Sequence, residues 1–70
     1  MAMALGRVER RLRDAVERLH AIDAERDLDR WRAQRAVCVR CLRDLVIQRE
    51  SLRFPPDPRL ADRYGIPPAR

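Results

Sequence analysis

Apolar residues recur along the first third of the chain at alternating steps of three and four: Leu5, Val8, Leu12, Ala15, Leu19 and Ile22, with Val16 beside them. That is the seam of an amphipathic, coiled-coil-like helix. A second stripe runs through Leu28, Trp31, Cys38, Leu42, Leu45 and Leu52, with Arg35 and Arg49 at the intervening seam positions. On an ideal helix of 3.6 residues per turn the second stripe is rotated by ~120° from the first. The run from Ala36 to Ile47 is the most apolar in the chain. Its Val37, Cys38, Val39, Cys41, Leu42, Leu45 and Val46 cover more than half of a helix circumference. Arg40, Arg43 and Asp44 take the remaining sector, with Ile47 misplaced among them. A sector that wide exceeds the one face of a surface helix and asks to be covered from more than one side.

Two architectures satisfy the change of phase. Either the chain breaks near 22–29 and folds back as a helical hairpin, or one interrupted helix of ~70 Å meets different neighbours at its two ends. The hairpin is the favoured reading. The acidic segment Asp23 to Asp29 supplies Asp23 or Asp27 as a cap for a second helix. Against a break stands the absence of Gly and Pro from Arg7 to Phe54, since tight turns commonly use one or the other.

The pattern changes after Phe54, where Pro55, Pro56 and Pro58 end the helical region. The expected organisation is a helical segment over 1–53 and a Pro-rich arm over 54–70. Within the arm, Asp57 fits an N-cap, 58–64 a short helix, and Gly65 the left-handed position that ends it. Ile66 would then fold back on Leu60 or Ala61. The fold class is all-α. The arm is expected to latch onto a partner and to stand apart from the helical core; the rival reading is that it folds back to cover the broad face of Cys38 to Val46 within the same chain.

Composition narrows the function classes. A chain of 70 residues is one domain at most, buries only ~60% of its unfolded surface and is marginal alone. All 16 basic residues are Arg, against 11 acids, for a net charge of +5. Coding by a GC-rich genome explains the missing Lys more simply than selection for Arg chemistry. The charge admits nucleic acid or an acidic protein surface as partner without requiring either. No run approaches the ~18–20 apolar residues of a membrane span. The two cysteines, with no signal-peptide pattern at the start, point to a reducing, cytoplasmic setting.

Candidate chemistry is sparse. Cys38-Val39-Arg40-Cys41 has the spacing of a metal or redox pair but lies inside an apolar helix without further ligands, so both thiols read as small core residues. His20, the only histidine, reads as a half-buried structural residue. The sole serine, Ser51, lies far from it in sequence, and there is no phosphate-binding Gly-rich loop. No catalytic, cofactor or metal residues are expected, and the chain reads as a non-enzyme. Trp31, Leu42, Leu45, Phe54, Leu60, Tyr64 and Ile66 are the candidate partner-binding residues. In a hairpin, Arg7, Arg10, Arg11 and Arg13 gather with Arg43, Arg49 and Arg53 at one basic end, where Arg7, Arg10, Arg11, Arg43, Arg49 and Arg53 are the candidate phosphate contacts.

The segment Leu60-Ala61-Asp62-Arg63-Tyr64-Gly65-Ile66-Pro67 resembles the first helix and turn of the helix-turn-helix DNA-binding family. Ala61 matches the small residue of the helix, Gly65 the turn glycine, and Ile66 the buried residue after it. The resemblance covers eight residues and implies a recognition helix for the major groove, where Pro67-Pro68 stand instead. The primary functional expectation is a small interaction protein (an assembly, adaptor or regulatory subunit) that packs on a larger protein or on its own copy. The alternative is a nucleic-acid-binding accessory protein whose contacts are weak and non-specific.

Overall fold

The structure is a computed structural model that describes residues 3–70, with side chains from Leu5 onward. It is an all-α helical hairpin with a short third helix: α1 (Met3–His20), α2 (Leu28–Ser51) and α3 (Leu60–Tyr64). The chain turns back between the two stripes, over 21–27.

The reversal uses aspartate chemistry in place of Gly or Pro. Asp23 Oδ1 accepts from the backbone N–H of Glu25 at 2.9 Å and of Arg26 at 3.4 Å, and its carbonyl accepts from Asp27 N–H at 2.9 Å. Asp27 is the N-cap of α2, its Oδ1 accepting from Arg30 N–H at 3.3 Å. Side-chain acceptors of this kind satisfy a turn's N–H groups and tolerate its backbone, which is why the break needs no breaker residue.

Leu12, Ala15, Val16 and Leu19 of α1 pack against Trp31, Cys38 and Leu45 of α2, and Leu60 and Ile66 complete the core. Gln34 Nε2 donates to the carbonyl of Ala15 at 3.0 Å and ties the helices midway. Among the described residues no polar or charged side chain is buried.

The arm belongs to this core, which corrects its reading as a separate latch. Leu60 and Ile66 are both buried, and four contacts pin the segment around them. His20 Nε2 donates to Gly65 O at 2.8 Å, Arg35 Nε to Pro67 O at 2.8 Å, and Arg32 Nε to Arg70 O at 3.0 Å. The guanidinium of Arg70 also lies 5.4 Å from the Trp31 ring centroid. Burying two large aliphatic side chains contributes about 1.5–3 kcal/mol each. That is a large share of the ~4–10 kcal/mol expected for a domain of this length. His20 is exposed, not half-buried; its role is to hold the arm.

The short helix starts at Leu60, two residues later than the 58–64 expected. Asp57 does not cap it from the adjoining position. Its Oδ1 accepts from Arg59 N–H at 3.0 Å, an Asx turn that leads into the helix, while its Oδ2 accepts from Arg63 Nε at 2.9 Å. At the other end Gly65 takes φ 80°, with Ile66 N–H on Ala61 O at 3.0 Å and Gly65 N–H on Asp62 O at 3.1 Å. Those two bonds form a Schellman motif, and they turn Ile66 back into the core. The end of α2 repeats the motif. Phe54 N–H bonds Arg49 O at 2.9 Å and Arg53 N–H bonds Glu50 O at 3.0 Å, with Arg53 at φ 62° in the left-handed position.

The two left-handed positions respond oppositely to substitution. A Cβ on Gly65 would sit 3.4 Å from His20 Nε2, at a φ that L-residues disfavour. Gly65→Ala should cost about 1–2 kcal/mol, whereas Arg53→Gly should stabilise by up to about 1 kcal/mol because it removes strain. Thermal melts of the two variants check both signs; a Gly65→Ala protein as stable as the parent would contradict the arm's role.

Candidate interaction surface

The hairpin and arm enclose most of the wide apolar sector of α2 but leave its C-terminal end open. Val46, Ile47, Leu52 and Phe54 are 36%, 52%, 54% and 44% exposed. Phe54 follows the left-handed turn at Arg53, and the guanidinium of Arg49 lies over its ring at 5.1 Å. Pro55, Pro56 and Pro58 carry the chain away with their φ fixed. Between this segment and α2 lies a mainly apolar slot of about 220 Å³ lined by Val46, Phe54, Pro55, Pro56, Pro58 and Leu60, together with Arg49, Glu50 and Asp57.

Beside it is a wider, polar cavity of about 500 Å³, lined by Arg13, Arg49, Asp57, Leu60, Arg63 and Tyr64. Each of the three helices contributes one guanidinium to it. Arg13 lies 5.9 Å from the Tyr64 ring centroid and 3.9 Å from Glu9, a long and exposed ion pair of little energetic weight.

The candidate partner-binding residues separate into three groups. Trp31, Leu45, Leu60 and Ile66 are buried within this chain, so a partner reaches them only if the hairpin opens. Leu42 and Tyr64 are half-buried, and Phe54 is exposed. Of the candidate phosphate contacts, only Arg49 lines the polar cavity. Arg7, Arg10, Arg11, Arg43 and Arg53 are exposed elsewhere, and Arg13 and Arg63 take their place at the cavity. Ile47, placed by its spacing in the polar sector, is 52% exposed and was not among the candidate partner-binding residues. Its signal was present, since an isoleucine stood in the sector otherwise held by Arg40, Arg43 and Asp44.

Cys38 is buried and Cys41 half-buried, both as free thiols. Burial pushes the Cys38 thiol up from its ordinary value, and neighbouring Cys41 adds to the shift, against weaker lowering effects from its backbone hydrogen bond and Arg35. Among the described residues no three His, Cys, Asp or Glu side chains cluster as metal ligands. No described helix is long and apolar enough to cross a membrane.

The thiols should therefore differ in reactivity. With a thiol reagent at mildly alkaline pH, Cys41 should label first and Cys38 only as the protein opens. The raised Cys38 group favours folding below about pH 9, and that contribution is lost as the pH rises and the unfolded chain ionises. Equal native labelling rates at both positions would contradict this packing. Compared with protein-family models, with curated proteins and with solved structures, the chain matches none.

Proposed function

We propose that the protein is a small non-catalytic helical interaction protein that packs on a larger protein, or on its own copy, through the open end of α2 and the proline segment. The observation that carries this reading is the exposure of Val46, Ile47, Leu52 and Phe54 at that end, while the other large apolar residues described are buried or half-buried. Of the exposed residues, Val46 and Phe54 wall the same slot; exposed apolar side chains that share a site are the usual mark of an interface, and aromatic residues are enriched among binding hot spots. Prolines beside the patch fix the backbone in advance, which lowers the entropy lost when a partner docks. The free thiols support a reducing, cytoplasmic setting.

Nucleic acid is the second reading. Exposed Arg7, Arg10 and Arg11 on α1 favour it, but Asp14 and Glu17 on the same helix limit it to weak, salt-sensitive phosphate contacts.

Ile47→Asp combined with Phe54→Asp should abolish stable association while leaving the helical circular dichroism spectrum unchanged, since both side chains are exposed. Sedimentation of the pure protein and its retention of a stoichiometric protein from its native host are the two readouts. A parent protein that stays monomeric and retains nothing, or a double variant that associates as the parent does, would reject the reading.

A further inference from the structure

The apolar slot and the three-arginine cavity are parts of one surface, because Arg49, Asp57 and Leu60 stand in the walls of both. We propose that this surface takes an acidic peptide segment of a partner protein, with a leucine or phenylalanine in the slot and neighbouring carboxylates in the arginine cavity. The proposal rests on the interaction-protein reading above and names the chemistry of the partner.

The charge balance of the cavity carries the argument. Arg13, Arg49 and Arg63 are set against Asp57 alone among the lining residues. Both oxygens of Asp57 are already engaged, Oδ2 by Arg63 Nε at 2.9 Å and Oδ1 by Arg59 N–H at 3.0 Å. Glu9, 3.9 Å from Arg13, offsets part of its charge, so three guanidiniums face two carboxylates around the cavity. Among the described residues no carboxylate lies within 4.0 Å of Arg49, whose guanidinium rests on the Phe54 ring instead. Guanidinium groups from three helices thus leave net positive charge at a concave site, a setting that favours planar carboxylates. Glu50 lines the slot and not the arginine cavity, which places the peptide's acids on the cavity side.

The slot sets the second requirement. At about 220 Å³ it is smaller than the ~300–1,000 Å³ of sites for independent small molecules and suits a single inserted side chain. Its walls of proline, valine, leucine and phenylalanine ask for an apolar one. A second copy is a poor occupant. The same surface on a copy would bring its Arg13, Arg49 and Arg63 toward this set. The chain's own acidic turn offers only Ile22, Ala24 and Leu28, all half-buried, and Asp23 and Asp27 there are committed to backbone N–H groups.

The test uses the full chain and a fluorescently labelled synthetic peptide of glutamates surrounding one leucine and one phenylalanine, followed by anisotropy at physiological salt. The peptide should bind about tenfold more tightly than its glutamine counterpart. It should also bind more tightly than a glutamate peptide with serine at both apolar positions. Arg13→Gln with Arg49→Gln should lose the tenfold preference with the helical spectrum unchanged. Because the peptide comparisons use the unaltered protein, they decide the matter even if that variant fails to fold. Equal binding of the glutamine peptide would overturn the acidic partner while leaving apolar docking intact. Equal binding of the serine peptide would reduce the site to bulk charge and overturn the proposal, as would binding of none of the three. A mass that rises with concentration, together with loss of peptide binding, would assign the surface to a second copy and overturn it too.

Discussion

A helical hairpin can cover only one side of each of its helices, and α2 carries apolar side chains over more than half of its circumference. The rest of this structure follows from that mismatch. α1 covers the side that holds Trp31, Cys38 and Leu45 with Leu12, Ala15, Val16 and Leu19. The arm brings Leu60 and Ile66 to the same core, which two helices of 18 and 24 residues would otherwise leave incomplete. In so short a chain the contribution of two such side chains is comparable with net stability. The third element is therefore a structural part of the domain.

What holds the arm is donor supply to backbone carbonyls. Pro67 and Pro68 have no N–H and cannot extend a helix or a ladder, so this part of the arm presents carbonyls with no backbone donors of its own beside them. Side chains of the hairpin answer them: His20 at Gly65, Arg35 at Pro67 and Arg32 at Arg70. Because a carbonyl has no hydrogen to give, His20 Nε2 is the donor. Closure ends short of the C-terminal turn of α2, and Val46, Ile47, Leu52 and Phe54 stay outside beside a cavity with surplus positive charge. The same packing that completes the domain thus leaves its most distinctive surface.

Periodicity yielded the two stripes and the change of phase between them, because amphipathic spacing reports on which face is buried. A hairpin and one interrupted helix both fitted, and the cap residues Asp23 and Asp27 favoured the hairpin that the structure adopts. Gly65 and Ile66 were readable as a helix ending, since a left-handed glycine followed by an apolar residue has few other uses. The docking of the arm was not readable in the same way. It depends on contacts between residues 32 to 45 positions apart, such as Arg32 with Arg70 and His20 with Gly65, and no local pattern announces them. Arg32 stands outside both apolar stripes, and an arginine's stem and charge fit a solvated face equally well. The polar cavity was hidden for the same reason. The hairpin reading brought Arg13 and Arg49 to one end, but Arg63 joins them only because the arm docks on the hairpin.

The central claim is that residues 54–70 complete the core. Removing them and following the helical signal against temperature, at a dilution where the full chain is monomeric, tests that claim directly. The account predicts that the truncated hairpin loses its cooperative transition and much of its helical signal, because the core around Cys38 and Leu45 is opened. A truncated chain that melts cooperatively within a few degrees of the full protein would show that the two long helices suffice, and would contradict the account.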